Sequence, residues 1–417
     1  MKDLKIYAKT VDEKAVEQIN KLMEQDAFKN AKVRIMSDVH AGKGCVIGFT
    51  SNITDKIIPN IVGVDLYCGM LVVKLGNIEL NLEEIDNAIK IGIPAGFNVH
   101  EELEIDDELQ DLYNDIESLK CFKEISYNNQ IRNGVGTLGG GNHFIEIDVD
   151  DDNNKYLVIH SGSRNLGAQV AKVYQDMAVN YCHGGKLTLE ERNNLIERLR
   201  FEGREQEIQF ELKKGKEPRD GKVENDLCYL EGIDKQNYLN DIRVCYKYSH
   251  MSRQRMALVI LNSIFKNRVK IINDKFYIDG NVLESFETLH NYIDLENGFI
   301  RKGAVSAKRD EILIIPINMR DGSLICVGKG NDDWNNSAPH GAGRLMSRAE
   351  AKKRIALEEY QNSMNGIYTT TANITTLDEA PQAYKPIEEI KEMITDTVDI
   401  IKQIKPIYNF KASEEID

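Results

Sequence analysis

Long apolar runs are missing from this chain of 417 residues, in which no stretch of 18 residues is both apolar and uncharged. The sequence therefore predicts no transmembrane helix and no membrane partner. The first residues, Met1 to Lys5, also lack the apolar segment of a secretory signal. With 41% hydrophobic and 29% charged residues, the composition predicts a cytoplasmic globular protein with a sizeable core.

Closely spaced cysteines are also missing. The seven cysteines are scattered along the chain, their number is odd, and no pair is separated by only two residues. This spacing argues against a disulfide framework and against a structural zinc site made of thiolates. A single cysteine can still bind a metal ion beside histidines.

An excess of positive charge is the third absence, since the formal net charge is −14. Such a chain is a poor candidate for non-specific nucleic-acid binding, which argues against a coat or architectural protein. An enzyme with a local basic cleft over divalent cations is not excluded, because bound metal itself attracts phosphate.

Strand-like and helix-like segments alternate along the whole chain. Apolar runs at 144–147 and 156–159 flank a turn-like stretch and predict an antiparallel hairpin. A charged helical segment is predicted at about 186–265. Because strands are expected early, in the middle and late, the pattern predicts an α+β fold with mixed β-sheets and surrounding helices. One interwoven domain spanning 1–417 is preferred to separate modules.

Two further helices are predicted near the loops of interest. The first covers Leu283 to Leu289 and would end at His290, and the second covers about Ile387 to Ile404.

Five short loops of small residues each carry a histidine or a cysteine. They contain Asp65 and Cys68, His143 after three glycines, His160 before Ser161-Gly162-Ser163-Arg164, His290, and His340 before Gly341-Ala342-Gly343-Arg344. A thiolate can bridge two divalent ions, while carboxylate prefers the harder Mn²⁺ or Mg²⁺. One carboxylate, one thiol and four imidazoles predict a two-metal site beside a nucleophilic histidine. A histidine that attacks a nucleotide α-phosphate forms a phosphoramidate, and Arg344 is suited to phosphate.

Each loop taken alone has a simpler explanation. Asp65 can cap a turn beside a buried cysteine, and His143 can follow an ordinary glycine turn between strands. His160 can lie at a sheet edge, and His290 can end a helix where the macrodipole favours it. The loop with Asp38 and His40 is a weaker candidate, suited to orienting a ligand or a metal-binding residue. Six ligand-type residues in such loops are hard to attribute to packing.

The chain resembles the RtcB family of GTP-dependent RNA ligases. The resemblance rests on the strings MSDVHAGKG, GVDLYCGM, GTLGGGNHFIE, HSGSRNLG, HNY, RKGA and SAPHGAGR, which occur in this order. It implies an RtcB-like fold with a deep metal-lined cleft. It also implies an enzyme that uses GTP and two Mn²⁺ ions to join RNA 2′,3′-cyclic phosphate or 3′-phosphate ends to 5′-hydroxyl ends, in RNA repair or tRNA splicing.

The same resemblance implies a role for individual residues. His340 becomes guanylylated, and GMP then passes to the RNA 3′-phosphate. One Mn²⁺ is held by Asp65, Cys68 and His143, and the other by Cys68, His160 and His290. Lys302 and Arg344 contact RNA phosphates. GTP contacts come from Asn142, His143, Phe144, Ile145, Glu146, His290, Asn291, Pro316, Ile317, Asn318, Met319, Ser323, His340, Gly341, Ala342, Gly343 and Lys411.

The chain also departs from the family pattern. Tyr67 stands where the family has glycine and Ser37 where it has proline, and the loop 316–320 is altered. These departures predict a divergent branch with a reshaped metal turn. Two alternatives remain: a metal-dependent RNA cyclic phosphodiesterase, which needs the metal ligands but not His340, and a non-ligating nucleotide- or RNA-binding relative. The intact histidines and Cys68 argue against the second.

Overall fold

The structure is a computed structural model that describes residues 3–185, 187, 189–215 and 218–412. The strands are β1 (Asp3–Ile6), β2 (Lys32–His40), β3 (Ile47–Asn52), β4 (Gly69–Gly76), β5 (Phe144–Val149), β6 (Lys155–Ser161), β7 (Val269–Ile272), β8 (Lys275–Ile278), β9 (Asn281–Val282), β10 (Ser285–Leu289), β11 (Asn291–Asp294), β12 (Phe299–Lys302), β13 (Ala304–Ser306), β14 (Ile312–Asn318), β15 (Gly322–Gly328), β16 (Ser337–Pro339) and β17 (Val398–Lys411). The helices are α1 (Glu13–Glu24), α2 (Pro59–Val62), α3 (Leu82–Gly92), α4 (Asp107–Glu117), α5 (Asn129–Arg132), α6 (Arg164–His183), α7 (Leu189–Phe201), α8 (Ile208–Lys214), α9 (Gly232–Ile264), α10 (Arg348–Arg354), α11 (Leu357–Ser363) and α12 (Ile387–Met393).

Two larger sheets organise the fold. One has the strand order β1-β2-β3-β12-β11, and the other has the order β10-β4-β6-β5-β17-β15-β14. Strand β1 runs parallel to β2, whereas the remaining pairs of these sheets are antiparallel. Strands distant in sequence are neighbours in both sheets. The prediction of a single interwoven α+β domain with mixed sheets is therefore confirmed.

The predicted hairpin is present as β5 and β6. Phe144 pairs with His160 across it, and on the other side of β6, Met70 of β4 pairs with the same histidine. Alternate side chains of these strands, including Ile145 and Ile159, pack with residues of α9 in one apolar cluster. Each fully buried aliphatic side chain contributes about 1.5–3 kcal/mol, so this packing gives the ends of the strands a rigid support.

Helices α7, α8 and α9 occupy the segment predicted to be charged and helical. Residues 186, 188, 216 and 217 of that segment, and the acidic tail from 413, lie outside the described residues. In the described part of the chain, no helix combines the length and the apolar character needed to cross a membrane.

The two helices predicted near the site loops are placed differently. Residues 285–289 form β10, which pairs with β4 so that Leu289 lies opposite Gly69. The second helix ends at Met393, and β17 begins at Val398. The first prediction was wrong, and the second was right for Ile387–Met393 but wrong beyond it. Apolar residues at helical spacing also satisfy a strand that pairs with a distant partner, and tertiary pairing overrides local propensity.

Candidate metal centre and adjoining cavity

Four side chains meet at one end of four adjacent strands. His290 follows β10, Cys68 precedes β4, His160 lies at the end of β6 and His143 precedes β5. The Sγ atom of Cys68 is 3.2 Å from Nε2 of His160 and 3.4 Å from Nε2 of His143. Nε2 of His160 is in turn 3.4 Å from Nε2 of His290. The antiparallel pairing thus collects residues that are up to 222 positions apart (290 − 68).

Backbone carbonyls fix the orientation of two of these rings. Nδ1 of His143 lies 2.8 Å from the carbonyl oxygen of Leu138, and Nδ1 of His160 lies 3.1 Å from that of Asn142. A carbonyl only accepts, so each Nδ1 carries the proton and each Nε2 keeps its lone pair. The lone pairs of both rings therefore face the sulfur of Cys68.

This donor set fits a divalent cation. Two ligand nitrogens at about 2.0–2.1 Å from a tetrahedral ion lie roughly 3.4 Å apart, which matches the observed spacing. Burial raises the pKa of the Cys68 thiol well above its usual range and lowers the pKa values of His160 and His290 well below theirs. The Cys68 sulfur and the rings of His160 and His290 are thus buried groups that face one another with lone pairs, and no proton lies between the rings. Such a set is arranged for a cation, and a bound cation also favours the thiolate form of Cys68.

Asp65 completes one side of the cluster. Its Oδ2 lies 2.9 Å from Nε2 of His143, and its Oδ1 accepts a hydrogen bond of 3.1 Å from the N–H of Ser163. A Cβ atom on Gly162 would overlap the carboxylate of Asp65. The glycine is therefore required for the close approach of the carboxylate, not for an unusual backbone angle.

Replacing Gly162 with alanine is expected to displace Asp65 and to weaken metal binding on the Asp65–His143 side by about 10- to 100-fold, the range found when a group that supports metal ligands is lost. The measurement is metal content by elemental analysis after dialysis against graded metal. Gly221→Ala is the matched control, because the nearest atom to its added Cβ is 3.9 Å away. Equal metal content in both variants would contradict the role given to Gly162.

The bulky Tyr67 is accommodated in the metal turn. Its φ is 56°, its N–H donates to the carbonyl of Asn291 at 2.7 Å, and its ring packs beside Tyr246 and Tyr292. The buried guanidinium of Arg253 donates to the carbonyl of Tyr67 at 3.1 Å. The tyrosine therefore takes the left-handed conformation that usually needs glycine, and surrounding contacts offset its cost of about 1–3 kcal/mol.

His340 approaches the cluster from a different part of the chain. It follows β16, which pairs with β13 so that Pro339 lies opposite Ala304. The rings of His290 and His340 have centroids 5.1 Å apart. Nδ1 of His340 is 2.6 Å from Oδ2 of the fully buried Asp38. The carboxylate holds the proton on Nδ1, so Nε2 is the ring nitrogen left for chemistry.

A cavity of about 240 Å³ adjoins these histidines. It is lined by the following residues expected from the sequence: Asn142, Phe144, Glu146, His160, His290, Asn291, Pro316, Ile317, Asn318, Met319, His340, Gly341, Ala342, Gly343, Arg344 and Lys411. Three expected nucleotide contacts do not line it: His143 borders a neighbouring cavity, Ile145 packs in the core, and Ser323 is fully buried.

A buried acid that the sequence analysis missed binds two of the expected cations. Oε2 of Glu379 lies 3.0 Å from Nζ of Lys411, and Oε1 lies 3.1 Å from the guanidinium of Arg344. Burial opposes ionisation of Glu379, but the charges of Lys411, Arg348 and Arg344 outweigh it and lower its pKa to about 2. Glu379 is thus charged and fixes both cations at the cavity wall.

Lys302 is placed differently from its expected role. Its Nζ is buried and donates to the carbonyls of Lys43 and Asn60 at 2.5 and 3.1 Å, and burial lowers its pKa. This arrangement is at odds with a contact to RNA phosphates. Asp38, ranked low in the sequence, instead contacts His340 directly. Glu379 and Asn409 also line the cavity, and neither stands in a recognisable motif.

Comparison with known proteins places this geometry in context. A profile of the family described as tRNA-splicing ligase RtcB matches residues 18–412. The RNA-splicing ligase RtcB of Escherichia coli (strain K12) is 27% identical over 403 residues, which cover 91% of this chain and 90% of the relative. The tRNA-splicing ligase RtcB of Nanoarchaeum equitans is 26% identical over 456 residues, covering 91% of this chain and 87% of the relative.

Proposed function

Because the chain belongs to the RtcB family and is an RNA ligase, we propose that it uses GTP to join RNA ends bearing a 2′,3′-cyclic phosphate or 3′-phosphate to 5′-hydroxyl ends. The observation that carries the proposal is the position of His340, which lines the cavity beside His290 of the metal-ligand cluster and has its Nδ1 held by Asp38. The reaction belongs to RNA repair or tRNA splicing.

The first step is nucleotidyl transfer to His340. The lone pair on Nε2 forms a bond to the α-phosphorus of GTP, while the bond from that phosphorus to the pyrophosphate oxygen breaks. Asp38 keeps the ring in the reactive tautomer and stabilises the positive charge that the ring acquires. Where the RNA ends in a 2′,3′-cyclic phosphate, water first adds to the phosphorus and the bond to the 2′ oxygen breaks, leaving a 2′-hydroxyl and a 3′-phosphate. An oxygen of the RNA 3′-phosphate then displaces the histidine, giving RNA-3′-ppG. The 5′-hydroxyl displaces GMP to close the strand and releases its proton to solvent.

Metal binding is assigned to the buried cluster. Two ions, which we propose to be Mn²⁺, would be held by Asp65, Cys68 and His143 and by Cys68, His160 and His290. Bound there, they would supply charge neutralisation and orientation of the phosphates. The central position of the Cys68 sulfur, within 3.4 Å of histidines on both sides, supports its sharing between the two ions.

The cavity accounts for the nucleotide. We assign the sugar and phosphates to the part of the cavity lined by the loop 316–319, Asn142 and the loop 341–343, and the base to the part lined by Phe144, Glu146 and Lys411. Lys411 donates to the carbonyl of Asn142 at 2.9 Å and lies 5.4 Å above the ring of Phe144. The expected contacts from His143, Ile145 and Ser323 would require backbone groups or a shift on binding.

Incubation with α-labelled GTP and Mn²⁺, followed by a denaturing gel, tests the proposal. We expect an acid-labile label on the protein, much weaker label with ATP, and ligation of RNA oligonucleotides that carry 2′,3′-cyclic phosphate and 5′-hydroxyl ends. Absence of label with intact opening of the cyclic phosphate would instead indicate a metal-dependent cyclic phosphodiesterase. Binding of RNA or nucleotide without either reaction would indicate a non-ligating relative.

Replacing Asp38 with asparagine is expected to slow adduct formation by about 10²- to 10⁴-fold, because the amide can donate to Nδ1 and so favours the wrong tautomer. The measurement is the single-turnover rate of labelling at saturating GTP. Metal content is the control, since Asp38 contacts His340 and not the cluster. A labelling rate equal to that of the unmodified protein would show that Asp38 does not orient the nucleophile.

A further inference from the structure

A buried amide lies at the floor of the cavity, next to the acid expected to meet the base. Asn409 of β17 pairs with Glu146 of β5, and its side chain is fully buried. Nδ2 of Asn409 donates a hydrogen bond of 2.6 Å to Oε1 of Glu146. Both residues line the cavity. The contact joins β5 and β17, which are far apart in the sequence.

The other oxygen of Glu146 is available to a ligand. Within residues 3–412 as the structure describes them, hydrogen bonding to this carboxylate comes from Asn409 and goes to Oε1. Oε2 can therefore accept a hydrogen bond from a molecule in the cavity. A carboxylate in this position favours a ligand edge that carries N–H donors.

The pKa of Glu146 lies close to neutral pH. Burial raises its pKa to about 7, while the hydrogen bond from Asn409 and the charge of Lys411 lower it. Asp148, two residues along β5, is fully buried, and burial together with the charge of Glu146 raises its pKa well above the usual range. Burial therefore favours the neutral form of Asp148.

We propose that Asn409 is a positioning residue for base recognition, which holds one oxygen of Glu146 and leaves the other directed at the N1–H and 2-amino groups of guanine. This inference rests on the proposed function, which includes the contact of Glu146 with the base, and adds the residue that holds Glu146 in place for that contact. Adenine presents an acceptor at N1 and is repelled by the carboxylate. Hypoxanthine keeps N1–H but lacks the 2-amino group. Comparison of GTP with ITP therefore measures the contact to the 2-amino group alone.

The test compares GTP, ITP and ATP as donors of label in the full-length protein and in Asn409→Leu, which removes the amide at similar volume. A hydrogen bond to a charged group is worth roughly tenfold or more, so the unmodified protein should prefer GTP to ITP by about that factor. In Asn409→Leu the preference should largely disappear through weaker use of GTP. Equal losses with GTP and ITP would mean a structural role and would overturn the proposal.

A pH profile of GTP use provides the second readout. The hydrogen bond from Asn409 stabilises the charged form of Glu146, so its loss raises the pKa of that acid, and GTP use should shift to higher pH. Asp148→Asn is the matched control, because Asp148 is already neutral, and its profile should not move. An unshifted profile in Asn409→Leu would count against the proposal.

Two further measurements apply if Asn409→Leu does not fold or if no adduct forms. If thermal melting shows that Asn409→Leu does not fold, Asn409→Ala replaces it in both assays. If the unmodified protein forms no adduct with any nucleoside triphosphate, the proposed function fails. Asn409 is then tested separately by the shift in melting temperature that GTP and ITP produce, where equal shifts in the unmodified protein would overturn the inference.

Discussion

Replacing His340 with alanine is expected to abolish the nucleotide–protein adduct, with the labelling rate falling by on the order of 10³-fold or more. The variant loses the nitrogen that bonds to phosphorus. Among the described residues, His40 also lines the cavity, but its Nδ1 contacts the backbone carbonyl of Asp38 and not the carboxylate that pairs with His340. The measurement is retention of label after denaturing electrophoresis, with ligation of RNA assayed in parallel.

Metal and nucleotide binding should survive this change, because His340 belongs to neither half of the metal-ligand cluster. His100→Ala is the matched control, since His100 hydrogen-bonds the backbone of Gly136 and does not line the cavity. Normal ligation by His340→Ala would show that another residue is the nucleophile.

Replacing Cys68 with serine is expected to remove both metal ions together. The sulfur lies within 3.4 Å of Nε2 of both His143 and His160, and a neutral hydroxyl is a far weaker ligand than the thiolate that we propose both ions would share. We expect at least about 100-fold weaker metal binding, more than is lost when only a supporting residue is changed. Elemental analysis of the dialysed protein gives the metal content, and adduct formation should be lost with it.

Cys326→Ser separates this effect from the general cost of removing a buried thiol. Cys326 is fully buried in β15 but packs in a different apolar cluster, away from the metal-ligand residues. Its metal content should match that of the unmodified protein. If Cys68→Ser retained one full equivalent of metal, the thiol would serve one ion and not two.

The sequence predicted which residues meet at the candidate metal centre, because each lies at or beside the end of a strand. The hairpin of β5 and β6 follows from local periodicity, and that hairpin alone places His143 beside His160. His290 lies in the cluster as predicted, but the element before it is not the predicted helix. It follows strand β10 and not a helix, and the pairing of β10 with β4 puts it next to Cys68.

Contacts between distant segments could not be predicted in the same way. Asp38 and His340 are 302 residues apart, and Glu379 meets Lys411 from a stretch without a motif. Local patterns encode which side chains project from a turn, whereas partners across the fold depend on how sheets and loops assemble. Lys302 illustrates the difference, since a basic residue near a predicted site turned out to bind backbone carbonyls.

Strand β17 lies between β5 and β15, so it joins β10, β4, β6 and β5 on one side to β15 and β14 on the other. The candidate metal ligands lie at the ends of β10, β4, β6 and β5, whereas the part of the cavity assigned to the base also needs Asn409 of β17. Lys405 pairs with Val149, which precedes it by 256 residues (405 − 149). The metal-ligand cluster also needs a distant pairing, because Leu289 of β10 lies opposite Gly69 of β4. Pairing across such long stretches of chain is slow compared with closure of a hairpin. Both the cluster and the end of the cavity that contains Asn409 therefore wait for widely separated strands to meet during folding.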